Sequence, residues 1–204
     1  MLLSVVVVHY HTPKLALESV QCLRRDARGS DLELEVLLVD NGSLPQDASL
    51  LERMEARVLR PGENLGYAGG ANLGIAQASG DAIVLMNPDV LVQPGCLQAL
   101  LDEIATGAAV VGPRFFWDRQ ERVLLPPNEP FTRKYEIARI LGSLGPGPAR
   151  WLRGIYRPHL RSHLLAEATL PTVALSGALL AFPRSVVQRI GAFDAGYELY
   201  FEES

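Results

Sequence analysis

The chain has 204 residues, 48% of them hydrophobic and 21% charged, with a formal net charge of −4. That suffices for one sizeable core in a single domain and is the composition of a folded globular chain. No apolar run approaches the ~20 residues of a membrane span, and no nucleic-acid partner is expected.

The opening "LLSVVVV" lacks the basic start and small-residue cleavage site of a signal peptide and reads as a strand. Ser4–Tyr10 is β-branched and almost wholly apolar, as in a strand buried on both faces. Thr12-Pro13 starts a helix, with Thr as N-cap and Pro at the first position, and Gly29 stops it. Cys22 on this helix and Cys96 lie among apolar neighbours without metal-type spacing, as free core thiols of a reducing cytosol. Glu35–Val39 is a second strand, ended by "DNGS" at 40–43. Residues 46–56 read as a helix with Leu50, Leu51 and Met54 on one side, and Val58–Leu59 as a short strand. "GENLGYAGGANLGIAQASG" (62–80) is a Gly-rich loop opening a helix, Ala82–Met86 a strand, Pro94–Ile104 a helix, and "AAVVGP" (108–113) a strand and turn. Strands alternating with helices of about a dozen residues predict an α/β fold, a mostly parallel central sheet with helices on both faces.

Beyond residue 113 the pattern degrades between the breakers "PPNEP" (126–130) and "GSLGPGP" (142–148). In 149–168 aromatic and apolar residues alternate with Arg150, Arg153, Arg157 and Arg161, and Gly154 and Pro158 argue against one continuous helix. Regularity returns at Val173–Phe182, then a short helix runs from Pro183 to Ile190 and stops at Gly191. Residues 1–113 hold 7 Lys/Arg against 14 Asp/Glu, residues 114–165 hold 10 against 4, and residues 166–204 hold 2 against 5. A basic middle between acidic flanks points to an anionic partner there. Segment 149–164 has two readings: a solvated loop over the active site, or a peripheral membrane contact, docking to anionic lipid or a lipid-pyrophosphate acceptor.

Ligands of parallel sheets sit outside the carboxyl ends of the strands. Asp40 and Asp89, the latter in "IVLMNPDVLV" (83–92), each follow closely on an apolar strand. Either each caps a turn, or the pair serves a ligand at one rim. Gly66, Gly69, Gly70 and Gly74 fit neither G-x-G-x-x-G nor a P-loop, which needs a following Lys-Ser/Thr. These glycines permit either close helix–sheet packing or close approach of a ligand, and Asn64 and Asn72 suit a turn or a sugar equally.

Taken in order, "SVVVVHYHT" (4–12), "LLVDNGS" (37–43), "ENLGYAGGANLGI" (63–75), "VLMNPDV" (84–90), "LSGALLAFPRSVVQRIGAFD" (175–194) and "YELYFEES" (197–204) resemble the family 2 inverting glycosyltransferases, most closely the bacterial rhamnosyltransferase-like branch. The resemblance spans nearly everything except about 114–170. It implies a nucleotide-diphospho-sugar transferase of GT-A fold, with 1–113 as nucleotide-binding half and 114–204 as acceptor-side half of one catalytic domain. By the same resemblance His9, Tyr10 and His11 line the nucleotide, together with Asn64, Gly66 and Asn72. Asp40 accepts a hydrogen bond from a uracil or thymine imide. Asp89 stands in the acidic metal motif and holds Mg²⁺ or Mn²⁺ against the diphosphate. Ser176 and Gly177 border the sugar and acceptor pocket, Asp194 faces the acceptor, and Glu203, with Glu202 in reserve, is the catalytic base.

These residue types suit the chemistry. A divalent cation neutralises the leaving diphosphate, and a carboxylate can take the proton of the attacking hydroxyl. The chain departs from the family in carrying His9 and His11 where Asn is usual, one Asp in the metal motif rather than two, and Glu-Glu for Glu-Asp one residue before its end. The expected enzyme is cytoplasmic, at or near the inner membrane face, and transfers a sugar, rhamnose first, from a UDP- or dTDP-sugar to a saccharide or lipid-linked acceptor. The alternatives are a non-catalytic nucleotide-sugar-binding module and a truncated, inactive transferase.

Overall fold

The computed structural model describes residues 1–30, 32–128, 133, 137, 140, 141, 143, 145–172 and 174–196. The chain forms two compact units, Met1–Pro113 with Gly177–Ser204, and Arg114–Ser176. In chain order the elements are β1 (Leu2–His9), α1 (Pro13–Arg28), β2 (Glu33–Asp40), a 3₁₀ turn (Pro45–Asp47) leading into α2 (Ala48–Leu51), β3 (Arg57–Leu59), α3 (Gly66–Gln77), β4 (Ala82–Met86) and α4 (Cys96–Ala105). They continue with α5 (Pro146–Leu164), β5 (Leu179–Pro183) and α6 (Arg184–Ile190).

The first unit is built on a five-stranded sheet of order β3-β2-β1-β4-β5. Every pairing is parallel except the last, where β5 runs antiparallel to β4. β1 sits at the centre, and its residues from Leu3 to His9 are all buried. Burial of successive residues, whose side chains alternate between faces, requires cover on both sides. On one side α3 lies unusually close. A Cβ on Gly74 would meet Val6 Cγ1 at 2.2 Å, and one on Gly70 would meet Val8 Cγ1 at 2.9 Å. The close-packing reading of these two glycines is therefore the one the fold uses.

α1 and α4 are tied to each other. The Asp26 carboxylate of α1, itself buried, accepts from Gly95 N at 2.5 Å and Leu97 N at 2.9 Å, capping α4 from outside its own chain segment. Orphan amides at a helix start need such acceptors. Burial, with the Asp26 charge, pushes the neighbouring Cys96 thiol up to about 11. Cys22 and Cys96 are both free and half-buried.

At the amino-terminal rim of the sheet a polar network fixes register. Ser79 donates from its amide and its hydroxyl to Glu35, each at 2.8 Å, Ser4 Oγ bonds the same carboxylate, and Gly80 N donates to Ser4 Oγ at 2.7 Å. Arg184 closes the same turn, donating to the carbonyls of Gly80 at 2.8 Å and Ala78 at 2.7 Å.

Several expectations need correction. The helix expected over 46–56 is only the 3₁₀ turn and the four-residue α2, although Leu51 and Met54 are buried as foreseen. Thr12 precedes α1 without a side-chain capping bond. The strand expected over 108–113 is a single bridge, Val111 to Ala181. In the second unit α5 runs unbroken through Gly154 and Pro158. A proline inside a helix loses one hydrogen bond, but tertiary anchors flank it here. Tyr156 OH donates to Pro127 O at 2.7 Å, and His159 Nε2 lies 3.1 Å from Asn128 O. The same unit holds a short antiparallel turn, with Trp117 N donating to Val123 O at 2.8 Å and Leu125 N to Phe115 O at 2.7 Å.

Gly74→Ala is expected to cost about 1–3 kcal/mol, since the new methyl overlaps Val6. Urea unfolding checks this, and Gly74→Ala combined with Val6→Ala should lose less than the sum of the two single losses.

Candidate active site

The carboxyl ends of β1, β2 and β4 converge on one rim. The β1–β2 register pairs His9 with Asp40. Met86, the last residue of β4, pairs with Val7 of β1 and Leu179 of β5, so Asn87–Asp89 leaves the sheet beside the first residues of β5. Asn87 N donates to Ala178 O at 2.9 Å, and Tyr67 OH lies 3.5 Å from Gly177 O. The rim therefore gathers His9, Tyr10, His11, Asp40, Asp89 and Gly177 from segments far apart in sequence.

Asn41, which sequence reasoning left out, is the clamp of this rim. It is 3% exposed, and its side chain bonds in three directions. Nδ2 donates to Asn64 Oδ1 at 2.8 Å and to Gly66 O at 2.9 Å, while Oδ1 accepts from Leu65 N at 2.9 Å. Asn64 Oδ1 accepts in addition from Gly66 N at 2.9 Å. Gly66 opens α3 at φ +70°, which glycine reaches without steric cost. The only advance signal was a buried-looking Asn directly after a strand.

Asp40 is 7% exposed and accepts from Ser43 N at 2.9 Å. Arg60, also unforeseen, stands one residue past β3 with Nε 3.5 Å from Asp40 Oδ2. Burial pushes the Asp40 carboxyl up, but hydrogen bonding from Ser43 and the His9 and Arg60 charges outweigh it and hold it below the ordinary aspartate range. His9 is 1% exposed with Nε2 3.5 Å from Asp40 Oδ1, and among the described residues neither ring nitrogen has a hydrogen-bond partner. Desolvation lowers the imidazole more than Asp40 and Asp47 raise it, so His9 is neutral near pH 7. Buried polar atoms normally find partners. The imidazole is closed off from solvent beneath the rim, beside Asp40.

Tyr10 and His11 stack at 4.0 Å between ring centroids, tilted by 53°, and both are exposed. His11 adopts φ +54°, uncommon outside glycine and a frequent mark of functional sites. Asp89 is exposed on the turn after β4. Among the described residues no group of three or more His, Cys, Asp or Glu converges to hold a metal. A hard cation would take the Asp89 carboxylate as a single protein ligand and needs further oxygens from a bound anion. On those terms the residues fit Mg²⁺ or Mn²⁺.

Other expected site residues are placed differently. Asn72 donates from Nδ2 to Phe193 O at 2.8 Å and accepts from Phe193 N at 2.9 Å, so its amide is committed to backbone. That bond fixes the residue before Asp194, whose carboxylate accepts from Gly196 N at 2.8 Å in an exposed turn. Ser176 is half-buried and belongs to the second unit. Glu202 and Glu203 lie outside the described residues.

The sequence pattern of glycosyl transferase family 2 matches residues 4–164. The chain belongs to that family. It is 32% identical to the N-acetylglucosaminyl-diphospho-decaprenol L-rhamnosyltransferase of Mycobacterium tuberculosis, over 83% of this chain and 58% of the relative. Among solved structures it is similar to the mannosyltransferase PcManGT of Pyrobaculum calidifontis, solved with GDP-Man and Mn²⁺, at TM-score 0.61, 20% identity and coverage of 95% and 47%. TarS of S. aureus matches at TM-score 0.56 and 16% identity, over 100% of this chain and 53% of the other. The fold is that of the GT-A glycosyltransferases, and the chain spans about half the length of these relatives, between 47% and 58%.

Because the unfolded chain takes up a proton that the buried imidazole refuses, His9 supports folding above the ordinary histidine value of about 6.5 and loses that support as pH falls through its lowered value. His9→Asn is expected to flatten the fall in urea midpoint between about pH 7.5 and pH 5. His163, lowered first by burial and then by Arg114, contributes in the same sense to both proteins, so the difference isolates His9.

Proposed function

We propose that this family 2 chain is the catalytic core of an inverting glycosyltransferase that takes a UDP- or dTDP-sugar, rhamnose first, to a saccharide or lipid-linked acceptor. One observation carries the reading: two strand-end carboxylates at one rim in opposite states, Asp40 buried and held ionised, Asp89 exposed and uncommitted. The M. tuberculosis relative, a rhamnosyltransferase by name that acts on a lipid diphosphate, supports the sugar and the acceptor class.

In this reading Asp40 accepts the imide N–H of a uracil or thymine, which guanine and cytosine bases do not present in the same way. Ionisation makes the acceptor stronger, and Ser43, Arg60 and His9 orient it. Tyr10 and His11, with His9 buried behind them, line the nucleotide. The Asn41–Asn64 clamp holds the start of α3 where the backbone can approach the donor. Mg²⁺ or Mn²⁺ held by Asp89 would neutralise charge on the leaving diphosphate. Gly177 and Ser176 border the transferred sugar, Asp194 the acceptor. Glu203, or Glu202, takes the proton of the attacking hydroxyl, which then displaces the diphosphate with inversion.

Thermal denaturation with UDP, dTDP, GDP and CDP, each with and without Mn²⁺, tests the donor side. At 100 times its dissociation constant a uridine or thymidine diphosphate should add about 2.7 kcal/mol. Asp89→Ala should abolish the Mn²⁺ dependence while leaving the protein folded, and Asp40→Asn should erase the preference for imide bases. A stronger response to GDP or CDP, or an Mn²⁺ effect surviving in Asp89→Ala, overturns the assignment. Hydrolysis of the matching sugar nucleotide separates an enzyme from a binding module.

A further inference from the structure

α5 presents two opposed faces. At ~100° per residue, Tyr156 and His159 fall within about 60° of each other, and both reach the carbonyls of 127–128 inside the second unit. Arg150, Arg157 and Arg161 cluster within about 40° on the side facing away from those anchors. All three are exposed, and among the described residues none of their side chains makes a hydrogen bond or ion pair. Leu164 and the following Leu165 are 43% and 67% exposed at the end of this stripe, and Trp151, beside Arg150, is 50% exposed. The stripe is also the centre of the most basic stretch of the chain, 10 Lys/Arg against 4 Asp/Glu over residues 114–165.

We propose that this face of α5 docks the protein onto an anionic lipid surface, lying in the plane of the headgroups with the arginines on lipid phosphates and Trp151, Leu164 and Leu165 in the apolar boundary. The spacing decides for a surface over a single ligand. Arg150 to Arg161 spans about 16 Å along the axis, several times the reach of one diphosphate. Long arginine side chains keep their charge among phosphates while their stems cover apolar surface. No helix among the described residues is long and apolar enough to cross a membrane, so the helix lies on the surface instead of spanning it. The proposal deepens the reading of a lipid-linked acceptor, which such docking would bring within reach, but the docking itself stands on the geometry of α5.

The test is flotation of the full chain, without donor, on vesicles of phosphatidylcholine alone and of phosphatidylcholine with one-third phosphatidylglycerol. Binding is expected only to the anionic vesicles and should collapse in high salt. Arg150→Ser, Arg157→Ser and Arg161→Ser together should weaken it about 100-fold. Arg25→Ser, Arg53→Ser and Arg189→Ser, which remove the same charge from the first unit, should weaken it far less. With Trp117→Phe in the background, Trp151 emission should shift to the blue on anionic vesicles and stay put in the α5 triple variant. Circular dichroism verifies that both variants fold. Equal binding to neutral vesicles, or equal losses in the two triple variants, overturns the proposal. The stabilisation by dTDP or UDP, read on the same α5 variant, should be unchanged. Its loss in the wild type would instead count against the transferase reading and leave docking standing.

Discussion

The approach of α3 to β1 and β2 sets everything at the carboxyl rim. A helix can come this close only where it carries no Cβ, and Gly70 and Gly74 face Val8, Val6 and Val39 across the contact. Dense packing leaves little room for adjustment, so the start of α3 has one position. Asn41 then joins that position to the end of β2 through bonds to Asn64, Leu65 and Gly66. A rim assembled from three strand ends and one helix start is thereby held to a single shape before any ligand arrives, the preorganisation that binding and catalysis reward.

The same rim treats its two acids in opposite ways. Asp40 is enclosed, and its environment favours the charged form despite burial. Asp89 stands on a turn in water. In the proposed reading the enclosed, oriented carboxylate is the fixed acceptor for the base, and the exposed one takes a cation that arrives with the substrate and brings most of its own oxygen ligands. His9 belongs with the enclosed group. Kept neutral between a carboxylate and the sheet core, it fills its place beside Asp40 without adding charge.

Much of this was legible in the chain. β1, β2 and β4 read clearly because strands buried on both faces are continuous apolar runs, and the α/β alternation with its parallel sheet followed. What failed had local causes. Leu50, Leu51 and Met54 have helical spacing, but a turn can bury Leu51 and Met54 equally well. Pro158 and Gly154 argue against a helix by propensity, and the hydrogen bonds of Tyr156 and His159 override it. Asp40 and Asp89 were visible as acids at strand ends, whereas Asn41 and Arg60 were not, since an asparagine in a turn or an arginine after a short edge strand carries no signature until the fold shows what it touches. Asn72 illustrates the reverse: in a Gly-rich segment it suited backbone or a sugar equally, and the structure shows its amide matched to the Phe193 backbone.

The reversed direction of β5 has a consequence for how such a chain can diversify. Val111 and Ala181 form a bridge, so the points where the chain leaves and rejoins the first unit are side by side. An insertion whose two ends already touch imposes almost no loop-closure demand on its host. Residues between them can be lengthened, shortened or exchanged while β1, β2 and β4 keep their register. The carboxyl rim and whatever the inserted segment recognises are thus separable during evolution, and grafting a foreign segment between Pro113 and Gly177 becomes a rational way to redirect the protein.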